Sequence, residues 1–121
     1  MILGLRTAIY PVTDLNAARQ WYASALMHEP YFDQPFYVGF QIGGFELGLV
    51  PDGKPGTEGA TPLWGVDNAD IELARLIGLG GTLIEAVTDV GDGIRVAAVM
   101  DPFGNRFGII ENPHFNPSAV R

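Results

Sequence analysis

Few side chains in this 121-residue chain are placed to do chemistry, and one carboxylate leads them. Glu46 lies in the alternating run Phe45–Val50, which follows Phe36–Ile42 across Gly43-Gly44. Two glycines between alternating runs predict a hairpin with a two-residue turn. That turn sets Ile42 against Phe45, Gln41 against Glu46 and Gly39 against Gly48. Alternation then puts Phe36, Val38, Phe40, Leu47 and Leu49 on an apolar face that packs under helices. The opposite face carries Tyr37, Gly39, Gln41, Glu46 and Gly48 and is expected to be sparse and roomy. A carboxylate there can anchor a cationic or hydrogen-bonding ligand, or act as a general base. Tyr37 and Gln41 add stacking area and an adaptable hydrogen bond beside it.

Other candidates rank behind Glu46. Arg106 precedes Gly108 by two residues and shares its strand face, so it can pair with Glu46 or with an anionic ligand group. Tyr10 and Trp64 are assigned to the core between sheet and helix, where large aromatics mostly pack. Trp21 stands at the margin of a helix face and is a candidate for a subunit contact. Phe103 is expected at an exposed turn tip, as a lid or a subunit contact. His28 follows the first helix and His114 lies in the C-terminal tail, so neither reaches the same face. No Ser-His-Asp spacing stands out. Gly78-Leu79-Gly80-Gly81 follows a helix instead of preceding one, the wrong polarity for holding a phosphate.

The elements that position these residues are written twice. Thr7-Ala8-Ile9-Tyr10-Pro11-Val12 returns as Thr61-Pro62-Leu63-Trp64-Gly65-Val66, and each copy leads into a capped, apolar-periodic segment. Duplication of this kind decides the fold before any site is considered. In the first half, Leu3 to Val12 reads as a strand and Asp14 caps a helix over Leu15–Leu26, stopped by Pro30. A short strand is expected around Glu29–Phe32, before the hairpin. Residues 51–60 form a linker rich in turn residues. In the second half, Thr61–Val66 reads as a strand. A helix follows, capped by Asn68 or Asp70, and Gly80-Gly81 closes it at Leu79. Thr82–Val87 is a strand, Val90 to Gly93 a loop, and Ile94–Met100 pairs with Arg106–Glu111 across a turn containing Pro102 and Gly104. The segment 112–121 is expected to be a mobile tail.

Bulk composition narrows the function classes. At 121 residues, 47% hydrophobic and 17% charged, the chain suits one folded domain. Its net charge of −7 disfavours nucleic acid and anionic membranes as partners. The absence of cysteine excludes disulfides, thiolate nucleophiles and thiolate metal sites. No signal pattern and no bilayer-spanning apolar run are read, so a cytoplasmic location is the expectation.

Two tandem βαβββ units, the Val12-Thr13-Asp14 helix entry and the Asp101-Pro102-Phe103-Gly104-Asn105 turn resemble one superfamily. It is the vicinal oxygen chelate group of glyoxalase I, bleomycin-resistance proteins and extradiol dioxygenases. The resemblance covers roughly residues 3–111 and implies an α+β fold. Module one (1–50) and module two (61–111) would form a cup-shaped, eight-stranded mixed sheet with helices on its outer face. It also implies a homodimer and a small organic ligand held in the cup. Metal-dependent members carry ligands at positions that fall here on Thr7, Glu46, Thr61 and Gly108, so one carboxylate of four is kept. A divalent cation needs several N/O ligands at ~2.0–2.2 Å, which this set does not offer. The thinning at Thr7, Thr61 and Gly108 is expected to enlarge the cavity. The resulting expectation is a small-molecule-binding protein without a metal or other cofactor, its ligand touching Thr7, Tyr37, Gln41, Glu46, Thr61 and Arg106. The alternative is a glyoxalase-like lyase, isomerase or dioxygenase that uses Glu46 as general base or as one metal ligand.

Overall fold

Two βαβββ units follow one another in the computed structural model, which describes residue 1 and residues 3–121. The first unit is β1 (Thr7–Pro11), α1 (Leu15–Leu26), β2 (Phe32–Gln34), β3 (Tyr37–Ile42) and β4 (Phe45–Val50). Asp14 caps α1 by accepting from Ala17 N at 3.0 Å, and Ala18, Tyr22 and Ala25 form its buried face. Helix α1 ends at Met27 in the left-handed region, three residues ahead of Pro30. The β3–β4 hairpin has the register expected of its glycine turn, with Gln41 opposite Glu46 and Gly39 opposite Gly48. Gly43 and Gly44 both have positive φ, +60° and +91°, the backbone that a primed turn requires. Strand β1 runs parallel to β4, giving the sheet order β1-β4-β3-β2.

The second unit repeats this plan with β5 (Leu63–Gly65), α2 (Ala69–Gly78), β6 (Thr82–Gly91), β7 (Ile94–Met100) and β8 (Arg106–Glu111). Its sheet order is β5-β8-β7-β6, so the eight strands divide into two four-stranded mixed sheets. Asn68 is the cap of α2, accepting from Ile71 N at 3.1 Å, and Gly80 follows the helix at φ +103°. Helix α1 packs on β3 and β4, and α2 on β6, β7 and β8.

Several boundaries differ from the sequence expectation. Strand β5 starts at Leu63 because Pro62 has no amide hydrogen to give a ladder. Strand β2 lies at Phe32–Gln34, beyond the expected Glu29–Phe32. Strand β6 runs past the expected end at Val87 to Gly91, with register shifts along β7, and Asp92 and Gly93 of the expected loop make the turn at positive φ. The C-terminal segment holds a 3-10 turn, Pro117–Ala119, capped by Asn116. Phe36 leaves the apolar hairpin face and is 65% exposed.

One core serves both units. Tyr10, Tyr22, Phe40, Leu47 and Leu49 are buried together with Leu76, Val99, Phe107 and Ile109. Trp64 stacks on Phe107 at 5.8 Å, so the core assignment of Tyr10 and Trp64 holds. Trp21 is also a core residue: its indole N–H donates to Leu79 O at 2.8 Å and its ring meets Phe107 edge-on. Phe103 packs against Trp21 at 6.3 Å, which makes it a half-buried part of the joint between units and not a free turn tip.

The Asp101–Asn105 turn fastens that joint. The buried Asp101 carboxylate accepts from Tyr22 Oη at 2.6 Å and from the backbone N–H groups of Phe103 and Asn105. Buried Asn105 donates to Pro11 O at 2.7 Å and accepts from Gly56 N. A buried carboxylate and amide with every contact supplied are costly to rearrange. Among the described residues no helix is long and apolar enough to cross a membrane.

Candidate functional site

Glu46 sits on β4, and strand pairing lays out the face around it. Phe32, Gly39, Gly48 and Ile9 form one row across the four strands. Gln41, Glu46 and Thr7 form the next row. Two facing glycines thus make a floor immediately beside the carboxylate. This floor is not empty. The Tyr37 ring lies over Gly48, where a Cβ would come within 2.6 Å of Tyr37 Cζ. Tyr31 crosses Gly39, where a Cβ would lie 2.9 Å from Tyr31 Cε1 and 3.1 Å from Glu46 Oε2. The small residues admit two phenol rings, and the roomy face expected from sequence is filled by them.

Both phenols serve the same carboxylate. Tyr31 Oη donates to Glu46 Oε1 at 2.8 Å and Tyr37 Oη donates to Glu46 Oε2 at 2.5 Å. Hydrogen bonds to an ionised acceptor are short and strong, so the carboxylate is held in a single orientation. Partial burial, then the bond to Glu46, pushes the Tyr37 phenol up to about 12. The Tyr31 phenol is also raised, chiefly because its proton is engaged by Glu46. Both tyrosines therefore remain neutral donors through the physiological range.

The remaining expected site residues are less concentrated. Thr7 is the strand partner of Glu46 and is exposed. Gln41 is opposite Glu46 but exposed. Arg106 pairs with Glu85 at 2.9 Å, and not with Glu46. Thr61 precedes β5, with its methyl 3.3 Å from where a Gly108 Cβ would stand. Thr7 and Glu46 lie in one sheet, Thr61 and Gly108 beside or in the other. The space at Gly108 is taken by Leu63 Cδ2 and Pro62 O, at 2.7 and 2.9 Å from its Cβ position, so the glycine does not enlarge a cavity.

The two units can be laid over one another by strand register. Val12 N donates to Val50 O, and Val66 N to Ile110 O. Tyr10 pairs with Leu49, and Trp64 with Ile109. By this count Gly48 is the counterpart of Gly108, and Arg106 is the counterpart of Glu46. Glu46 is therefore one row removed from the position matching Gly108. With Gly48 and Gly108 offering no side chain, and both Glu46 oxygens engaged by phenols, the donors present do not fit a divalent cation. Among the described residues no group of three His, Cys, Asp or Glu side chains is disposed to hold a metal ion. His28 and His114 are both exposed and contact backbone oxygens of Leu26 and Asp92.

Tyr31 is the member that sequence reasoning missed. It precedes a three-residue strand and belongs to no clear periodic pattern. The signal that could have found it is the Gly39–Gly48 pair, since facing glycines call for a large ring from elsewhere.

Comparison with known proteins agrees with this architecture. The Mycobacterium bovis protein CFP32, which carries the name glyoxylase, is 28% identical over 120 residues, covering 89% of this chain. The chain spans about half the length of that relative, 46%. In fold it is similar to a lactoylglutathione lyase from Agrobacterium tumefaciens, with TM-score 0.78 at 19% identity over 96% of this chain and all of that one. A glyoxalase-related enzyme from Fulvimarina pelagi gives 0.75 at 20% identity, covering 93% of this chain and 90% of that one. The profile of the Glyoxalase/Bleomycin resistance protein/Dioxygenase superfamily matches residues 4–109, and the chain belongs to that superfamily.

Proposed function

We propose that this chain is a small-molecule-binding protein of the glyoxalase and bleomycin-resistance type, which holds an organic ligand beside Glu46 without a metal. The observation that supports it is the Glu46 carboxylate, fixed by Tyr31 and Tyr37 above two facing glycines. A carboxylate oriented before the ligand arrives lowers the ordering cost of binding. Tyr37 and Gln41 border that carboxylate, while Thr7, Thr61 and Arg106 supply outer contacts. The same reading has a homodimer as the assembly and the cytoplasm as the location. Light scattering on the purified protein tests the dimer.

Calorimetric titration against a broad panel of organic cations, neutral aromatics and organic anions tests the function. Saturable binding that weakens at least tenfold in Glu46→Ala, and is unchanged after dialysis against a chelator, is the expected result. Silence across the whole panel would overturn it.

A second reading, a lyase, isomerase or dioxygenase with Glu46 as general base or metal ligand, is supported by the fold likeness to the lactoylglutathione lyase. Stoichiometric Zn²⁺, Ni²⁺ or Fe²⁺ in the purified protein, lost in Glu46→Ala, would establish this second reading against the first.

A further inference from the structure

The phenols that hold Glu46 also form part of a wider aromatic surface. Tyr31, Phe32, Phe36 and Tyr37 line an open surface hollow of about 300 Å³. Phe32 is its centre, with ring centroids 6.3 Å from Tyr31, 6.0 Å from Phe36 and 6.1 Å from Tyr37. The planes are inclined by 52° to 66°, so the four rings form one tilted, edge-to-face cluster. Phe36 and Tyr31 are 65% and 54% exposed, although a hairpin turn could carry polar residues at no cost.

The electrostatics of this space favour one kind of guest. None of its four lining residues is cationic. Aromatic faces carry the negative end of the ring quadrupole. Donation of the Tyr31 and Tyr37 hydroxyls to a carboxylate draws electron density into both rings and deepens that negative potential. The chain as a whole adds a net charge of −7. An anion would face the Glu46 charge, and a neutral guest would gain only apolar burial. A cation with an apolar shell gains burial and attraction together.

We infer that this hollow takes an organic ammonium ion, an alkylated or quaternary amine, seated against the faces of Tyr31, Phe32, Phe36 and Tyr37 with Glu46 as its counter-charge. The inference rests on the binding function proposed above and names the ligand class of that site.

Choline and its neutral carbon isostere, 3,3-dimethylbutan-1-ol, differ in charge at nearly constant shape. Both are titrated into the full chain and followed by calorimetry and by shifts of the aromatic NMR signals. Choline is expected to bind about tenfold or more tightly than the isostere, with shifts confined to the four rings. Phe32→Leu and Tyr31→Leu keep apolar volume but remove a ring, and each is expected to weaken choline at least fivefold. Glu46→Gln is expected to do the same, with the melting curve confirming a folded protein for each variant. Equal binding of the isostere, no saturable choline binding, or unchanged affinity in both ring variants would overturn the inference. If a neutral aromatic then binds in a Glu46-dependent way, only the ligand class falls and the binding function stands. If nothing on the broad panel binds, both fall.

Discussion

Tyr37 occupies the space that a side chain on Gly48 would need, its Cζ 2.6 Å from the Cβ position there. The ring crosses the strand floor and delivers its hydroxyl to Glu46 at 2.5 Å. The absence of a side chain at one position thus determines the hydrogen bonding of a carboxylate two residues away.

Gly48→Ala is therefore expected to push the Tyr37 ring off the floor and to break its bond to Glu46. Overpacking of this kind costs about 1–3 kcal/mol, read as a lower urea midpoint. Tyr37→Ala in the Gly48→Ala background should restore part of the loss. The two changes are then non-additive, as residues in contact are. Additive losses would mean the ring does not depend on the glycine.

Alkaline pH should loosen the fold through the same phenol. Tyr37 is raised to about 12 in the folded chain from an ordinary value of 10.0, by burial first and the Glu46 bond second. A raised folded pKa means that its contribution is complete below pH 10 and is lost as pH climbs towards about 12. Tyr31, Tyr10 and Tyr22 are raised too and act in the same direction. The urea midpoint is expected to fall across that window, and less steeply in Tyr37→Phe. Ultraviolet phenolate absorbance, followed alongside, should rise at higher pH than for tyrosine in the unfolded chain.

The joint between the units should respond to one hydroxyl. Tyr22 Oη donates to Asp101 at 2.6 Å where both residues are buried. Tyr22→Phe leaves the carboxylate with its two backbone donors and removes the phenol hydroxyl that donates to it. A loss of about 1–3 kcal/mol in unfolding free energy is expected. An unchanged unfolding curve would show that the bond is not formed in solution.

On the acid side the sensitive group is Glu111. Its carboxyl is held below the ordinary range, first by Arg95 and then by the Ala69 N–H at the start of α2. A lowered folded pKa gives stability above the ordinary carboxyl value of 4.5 that is lost as pH falls below it. Glu111→Gln is expected to flatten the acid limb of the stability profile while leaving the alkaline limb unchanged. The effect is modest, because the pair faces solvent.

Much of this structure follows from rules that act over a few residues. Gly43-Gly44 accounts for the hairpin and hence for Gln41 facing Glu46. Asp14, Asn68 and Gly80 mark helix ends by capping chemistry. The doubled motif at Thr7 and Thr61 reveals the tandem plan, because each copy must bury the same apolar pattern. The partners of the polar side chains were a different matter. Tyr31 reaches Glu46 across 15 residues, and Arg106 turns to Glu85, 21 residues back, not to Glu46. Trp21 and Phe103 meet across the joint instead of facing solvent. Turn geometry, caps and strand period are local, so they can be read along the chain. Which ring fills a gap between glycines, and which charge an arginine meets, depends on how whole sheets and helices pack, and only the folded molecule decides it.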